Sequence, residues 1–257
     1  MARVTKITKI ILGFVAGLVL AIVLAMGIFW FKGGELVSNR LTTRISAALG
    51  TPAQIDQAKL NPIMGTISIP KIAISNPSGL NTPYFMEINN LDIKVKNLSL
   101  LQPTLQMENF SIDNWNINIE QTLSKGNISE IAAYIQKNKP QPTPEDKPIK
   151  QRKILSSKVT IGAVNTKLRF SFLGQQIDRE FKFDDITLTN LTQNETPIIL
   201  DEYIVRLVSQ TLKSILIASK EQLQQNLPKL PDLPFLKQDD ALKSLQKLID
   251  QFSLPAN

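Results

Sequence analysis

The side chains that most often carry protein chemistry are missing here, because the 257 residues include no cysteine and no histidine. Without cysteine there is no disulfide framework, no thiolate metal site and no thiol nucleophile. Without histidine the commonest metal ligand and general base is gone, and the Ser-His and Cys-His nucleophile systems go with it. Carboxylates, Lys, Tyr and Ser remain, but no GxSxG, SxxK, GxxxxGK(S/T) or GxGxxG pattern organises them. Asp184-Asp185 and Asp239-Asp240 are paired carboxylates, and neither pair is followed by the regularly spaced oxygens that a calcium loop requires. The first reads as a strand start, and the second suits a helix N-terminus through its dipole. Tyr84, Tyr134 and Tyr203 are too scattered to form a stacking platform. The expectation is a non-enzymatic chain with no catalytic residue, no metal and no cofactor; a hydrolase built on carboxylates is the chemical alternative.

Five Asn-x-Ser/Thr sequons, at Asn97, Asn109, Asn127, Asn190 and Asn194, carry little weight in a chain this rich in Asn, Ser and Thr. The formal charge of +7 comes from 29 Lys and Arg against 22 Asp and Glu. Part of that excess is a topology signal and part is a basic stretch from Lys137 to Lys158, which reads as a solvated linker. No nucleic-acid module is present. On the outer face of a membrane, anionic headgroups are the natural counter-charge.

The elements that display these residues begin with a membrane anchor. From Ile10 to Phe31 no side chain is charged, and the run is long enough for a helix to cross a bilayer. Ile10, Phe14, Leu18 and Ile22 lie along it, and Trp30 and Phe31 close it at headgroup level. Arg3, Lys6 and Lys9 precede the run, so the positive-inside bias places residues 1–9 in the cytoplasm and the bulk of the chain outside. A cleavable signal peptide, with a mature start near Gly27, is the competing reading, but its apolar region would be about 7–15 residues.

Beyond the anchor, about 225 residues suffice for one substantial domain or two small ones. Glu35 to Leu49 places Val37, Leu41, Ile45, Ala48 and Leu49 on one helical face, with Gly50 as a left-handed stop. The period then changes to that of strands. Ile67 and Ile69 alternate with polar residues, and after a slip at Pro70-Lys71, read as a bulge or an edge position, Ile72 and Ile74 continue. Asn76-Pro77-Ser78-Gly79 is a turn. Leu91, Ile93 and Val95 alternate cleanly, as do Phe110, Ile112, Trp115, Ile117 and Ile119, with a second slip before Trp115. A short helix from Ile128 to Lys137 has Asn127 and Glu130 at capping-box spacing. Four prolines in the ten residues Lys139 to Pro148 form a linker. After it come Val159 to Ile161, then Thr166 to Phe172, a hairpin turn at Leu173 to Gln176, and Ile177 to Phe183, with Ile186, Leu188 and Leu191 following. Pro197 opens a long helix to about Gln225, with Ile198, Tyr203, Leu207, Leu212 and Leu216 on its apolar surface. Asp239 to Phe252 sets Leu242, Leu245, Ile249 and Phe252 along the stripe of a terminal amphipathic helix.

The expected fold class is α+β: an N-terminal transmembrane helix, then a twisted, mainly antiparallel β-sheet with packed amphipathic helices. Its expected divisions are 1–9, 10–31, a β-rich first half at 33–138, the linker 139–153, a second hairpin set and long helix at 154–226, and 227–257. Because the strands are apolar on one face only, that face must be covered by protein or by a ligand of similar character. Two expectations follow. In the first, helices cover the sheet completely and the protein is an envelope interaction module or scaffold. In the second, part of the face is an open groove for acyl chains, lined by Ile67, Ile69, Ile93, Ile112, Ile117, Leu168 and Phe170.

The order of segments carries a resemblance. An anchor, a helix ending Ala47-Ala-Leu-Gly-Thr-Pro52, then Leu60-Asn-Pro62 and Ile72-Ala-Ile-Ser-Asn-Pro-Ser-Gly79 resemble the start of AsmA-like proteins. The likeness continues through Leu98-Ser-Leu-Leu101, Phe110-Ser-Ile-Asp-Asn-Trp115, Ile117-Asn-Ile-Glu120 and Gly126-Asn-Ile128. It implies a periplasmic β-rich domain on an inner-membrane anchor, in a family associated with phospholipid movement and outer-membrane biogenesis, with membrane lipid as the partner. A dozen strands about 4.8 Å apart would span only about 60 Å, so such a chain would bridge an envelope only with a partner or by self-assembly. Asn76-Pro77 also resembles the turn of LEA14-like β-sandwich domains, the second choice.

Overall fold

The structure, a computed structural model, describes residues 32–122, 125–138, 153–156, 158–172, 175–189, 191–192 and 196–226, together with 246, 249 and 250. Arg3, Lys6, Lys9, the expected anchor from Ile10 to Phe31 and the linker residues 139–152 lie outside them. Among the described residues no helix is long and apolar enough to cross a membrane.

Helix α1 covers residues 32–49. It ends at Gly50, whose φ of 72° is the left-handed stop read from the sequence. A Cβ there would also strike the Tyr134 ring, so glycine is required twice over. Ser38 Oγ donates to Asp56 O and accepts from Ala58 N, fixing the helix against the chain that follows it.

Ten strands then build one curled, mixed sheet. They are β1 (Ala53–Ile55), β2 (Lys59–Asn61), β3 (Thr66–Ser75), β4 (Tyr84–Val95), β5 (Thr104–Thr122), β6 (Lys153–Ser156), β7 (Lys158–Phe172), β8 (Gln175–Phe183), β9 (Ile186–Thr189) and β10 (Ile198–Ile199). Short β1 and β2 share one flank of β3, and β3, β4 and β5 follow as an antiparallel meander. On its other side β5 pairs in parallel with β6 and β7, and these carry β10, β9 and β8 antiparallel along the far edge. The residues before and after the proline run therefore share one sheet. A parallel neighbour needs a crossover, and α2 (Asn127–Lys137) lies in the connection between β5 and β6. Helix α3 (Leu200–Asn226) follows β10. Ile198 and Ile199, expected as the first turn of that helix, instead pair with Ile154 and Lys153, because the short β6 offers them a free edge.

Neither slip, at Pro70 or before Trp115, is a bulge, and Pro70 falls between the stretches of β3 that pair with β2 and with β1, so one flank of the strand has no strand partner there. Ile69 and Lys71 pair with Leu91 and Asn89, and Leu91 and Asn89 pair with Ile112 and Asn114, so register continues through both positions. The β5–β7 register likewise runs from Ile112↔Ile161 to Asn114↔Ala163 unbroken. Each strand changes its buried parity at the same row: Ile69 then Ile72, Ile88 then Leu91, Ile112 then Trp115, Ile161 then Val164. A bulge adds a residue to one strand of a pair; here four adjacent strands shift together and no residue is left over. The crease runs through Pro70, Asn90, Asp113 and Gly162. Asn90 adopts a φ of 52°, which Asn tolerates better than most side chains. Gly162 is needed because a Cβ would sit 2.4 Å from Asp113 O.

All three helices contribute to one core. Ile45 and Leu49 of α1, Ile128, Ile131 and Ile135 of α2, and Ile204, Leu207, Leu212 and Leu216 of α3 join the sheet's apolar residues in a single cluster. Arg44 of α1 meets Asp201 at the start of α3 at 2.8 Å, linking two of the covering helices. Ile249, from the expected terminal helix, is buried in the same cluster. Gly162→Ala is expected to lower stability by about 1–3 kcal/mol, since backbone must move to admit the methyl. Ala163→Ser, one residue along and exposed, should change it by less than about 0.5 kcal/mol. Urea midpoints of the two variants check this.

Candidate functional site

The apolar side of the sheet is the surface on which lipid-like chemistry could act, and four of the seven residues expected along a groove are deeply buried there. Ile69, Ile112, Ile117 and Leu168 are between 0 and 2% exposed. Ile67 and Ile93 are half-buried and pack against the same core. Phe170 is placed by its backbone, opposite Ile177 of β8 and beside Gln121 of β5. The structure thus brings six of the expected residues, Ile67, Ile69, Ile93, Ile112, Ile117 and Leu168, to one apolar core, and helices pack in the same cluster. Phe110 meets Tyr203 of α3 with ring centroids 6.1 Å apart, in a tilted arrangement.

That covering layer is imperfectly satisfied. Trp115 Nε1, Ser156 Oγ and Thr166 Oγ1 on the sheet, and Asp201 Oδ1, Tyr203 OH, Ser209 Oγ and Ser219 Oγ on α3, are buried without a hydrogen-bond partner among the described residues. Burial pushes the Tyr203 hydroxyl up to about 12, opposed by the nearby Ser156 hydroxyl, which does not reach good bonding geometry. An orphaned buried polar group costs about 1–3 kcal/mol. Helix α3 is therefore held less firmly than its leucines and isoleucines alone would hold it.

The opposite face is polar. Asn165 Nδ2 donates to Asn116 Oδ1 at 3.1 Å and reaches Asn114 Oδ1 at 3.4 Å, joining β5 to β7 through amides. Cross-strand pairs Lys71–Glu87, Lys167–Glu180 and Arg169–Asp178 lie on the same side. The hydrogen bond from Arg169 holds Asp178 below the usual carboxylate range.

One carboxylate is different. Glu120, 1% exposed near the end of β5, accepts from Asn81 N and Nδ2 through Oε1, and from Thr82 N and Oγ1 through Oε2, all between 2.8 and 3.1 Å. Burial alone would raise its pKa; the four donors outweigh that and hold it below the ordinary value. Its backbone N donates to Asn127 Oδ1, and Asn127 Nδ2 donates to Asn118 O and Asn76 Oδ1. Asn127, expected to cap α2, makes no side-chain cap: the N-cap is Gly126, and Asn127 is fully buried in this network. Its sequon is thereby closed to modification. The knot ties the 76–83 loop, the end of β5 and the start of α2 together. No spacing signal announced it, because its members are loop residues that meet only once β5 and α2 are in place. Asp184 and Asp185 are exposed between β8 and β9, immediately before β9 starts at Ile186, in keeping with the strand start expected of them. Among the described residues no group of three His, Cys, Asp or Glu side chains could hold a metal ion.

An α+β protein with a one-faced, curled sheet and amphipathic helices laid over its apolar side is the class this arrangement defines. The model of the AsmA family matches residues 4–197. The chain belongs to the AsmA family, whose members are envelope-associated and lipid-related. No curated protein and no solved structure matches it significantly.

Glu120→Gln should destabilise the protein by about 1–3 kcal/mol at pH 7, since an amide nitrogen replaces one acceptor and faces donors. The depressed pKa means the carboxylate's contribution is complete above the unfolded value, about 4.3, and is lost as pH falls through the lower folded value. Urea midpoints measured from pH 7 to pH 3 should show the gap between wild type and variant closing at the acid end.

Proposed function

We propose that this chain is a single-pass inner-membrane protein, cytoplasmic at its N-terminus and periplasmic in bulk, that handles membrane lipid in envelope biogenesis without catalysing a reaction. One observation carries the reading. The apolar face of the sheet is covered by amphipathic helices, and the α3 layer leaves polar atoms of both sheet and helix unpaired. A permanent core is under pressure to pair or exclude such groups; a cover that lifts is not, because its open state returns them to water. In this reading α3 is the movable element, and an acyl chain takes its place over Phe110, Ile112 and Ile117. Family membership and the apolar run before α1 support the same assignment.

The second reading, an interaction module or scaffold with a closed β-domain, is favoured by the near-zero exposure of Ile69, Ile117 and Leu168. It would use the helices to dock an envelope protein.

Replacing Phe110 with p-benzoyl-phenylalanine and illuminating cells separates the two. Lipid adducts on the Phe110 peptide, absent when the probe replaces Asn116 on the polar face, are the expected result. Cross-links confined to α3 peptides, with no lipid in the purified full chain by mass spectrometry, would leave the closed module. Loss of a co-purifying protein on deletion of residues 239–257 would then support docking.

A further inference from the structure

Six large hydrophobic residues are exposed among the described residues, four of them by more than half. Ile63 is 71% exposed, Met64 64% and Leu98 79%, with Leu36 of α1 at 57%. The other two, Tyr134 and Ile217, are only just exposed. Ile63 and Met64 occupy the turn between β2 and β3, and Leu98 lies in the 3-10 helix Asn97–Leu101 after β4. These loops are joined: Asn97 Nδ2 donates to Ile63 O at 2.8 Å, and Val95 N donates to Gly65 O. Gly65, at a φ of 66°, has no room for a Cβ between Asn97 Oδ1 and Val95 O. The fold thus spends a glycine and a side-chain bond on holding apolar side chains out in solvent.

The position of this tip relative to α1 says what it faces. Gly34 abuts Ala58 so closely that a Cβ would meet Ala58 O, Ser38 bonds to residues 56 and 58, and Ser46 Oγ accepts from Ala53 N. Helix α1 therefore runs antiparallel to the segment from β1 to β2. Chain leaving Ala58 through β2 advances in the direction from which α1 arrives, and at about 3.3 Å per residue β2 ends about 10 Å beyond the first turn of α1, with Ile63 in the turn that follows. The uncharged run of 22 residues ends at Phe31, immediately before that helix. Lys32, Lys59 and Lys96 are exposed at this end, with Glu35 on α1 and Asp56 before β2 as opposing charges, while Lys94 is paired with Glu108.

We infer that Ile63, Met64 and Leu98 form a second membrane contact, buried at the headgroup–acyl boundary of the bilayer that holds the anchor, with Lys59 and Lys96 at the phosphates. Apolar side chains ringed by lysines are the chemistry of an interfacial contact, the lysine stems lying along the apolar surface and their charges reaching the headgroups. Two contacts, one spanning and one interfacial, fix the tilt of the sheet on the membrane where a single helix would leave it free. The inference rests on the anchor proposed above.

The absence of cysteine makes the test direct. Single variants Ile63→Cys, Met64→Cys and Leu98→Cys of the full chain are labelled with an environment-sensitive nitrobenzoxadiazole dye. They are reconstituted in vesicles of phosphatidylethanolamine and phosphatidylglycerol, with Phe14→Cys in the anchor and Ser78→Cys, exposed on the turn between β3 and β4, as references. Nitroxide-labelled lipid should quench Phe14→Cys and all three tip sites at least twofold, with blue-shifted emission, and leave Ser78→Cys unchanged. Quenching at Phe14→Cys with none at the tip would overturn the inference and leave the anchor standing. No quenching at Phe14→Cys would remove the anchor and the inference together.

Discussion

The parallel pairing of β5 with β6 and β7 is the constraint on which the architecture depends. Antiparallel neighbours can be closed by a tight turn, but parallel neighbours such as β5 and β7 require the chain to cross back over the sheet. That return carries α2 over the apolar face, and its landing point is fixed by Glu120 and Asn127 at the end of β5. Once β7 is beside β5, its far edge accepts β8 and β9, and β6 accepts β10. Helix α3 follows β10 directly, so its placement is inherited from the same junction. A fault at the Glu120 knot would therefore be felt in the second half of the sheet as well as in the loop it binds.

The crease is the second consequence of strands acting in concert. One shifted strand in an otherwise regular sheet would turn its apolar residues toward water. Here Pro70, Asn90, Asp113 and Gly162 lie in one row, so each strand keeps its apolar side chains on the helix-covered face both before and after it. Pro70 is tolerated within β3 because its row is left out of the ladder: Ile69 pairs with Leu91 and Lys71 with Asn89, while Pro70 and Asn90 do not pair.

Much of this was legible in the sequence, and what was not shares a cause. The helix stop at Gly50, the one-faced strands and the hairpin between β7 and β8 follow from local period and turn chemistry, which neighbouring residues alone determine. The slip at Pro70 was visible too, but its meaning was not. A shift in one strand looks the same whether its neighbours shift or stay, and only pairing distinguishes a bulge from a crease. Asn127 was misassigned for a related reason: it has the identity and spacing of a cap, yet Glu120 N and Asn118 O, brought to it by tertiary structure, claim its side chain. Ile198 and Ile199 fit either a helix start or an edge strand, and the free edge of β6 decided between them. Period places the groove residues on the apolar side of their strands, but it cannot say that helices lie over that side.

The distribution of polar atoms within the apolar layer bears on which helix can move. Helix α2 is bound at its start by Asn127, whose side chain is fully engaged, so lifting it would break several buried bonds at once. Helix α1 is held by Ser38 and Ser46 to the segment around β1. Helix α3 is tied at its rim where Arg44 meets Asp201, Arg206 meets Leu191 O and Lys220 meets Gln246, while Tyr203, Ser209 and Ser219 have no hydrogen-bond partner among the described residues. Exposed ion pairs of this kind are worth about 0–1 kcal/mol. Displacing α3 would expose leucine and isoleucine surface unless apolar matter took its place, and it would return three hydroxyls to water. In the lipid-handling reading proposed above, an acyl chain would supply the missing apolar contact and ask for no hydrogen bond, so exchange for lipid would cost least at α3, which among the described helices holds the unpaired buried polar groups.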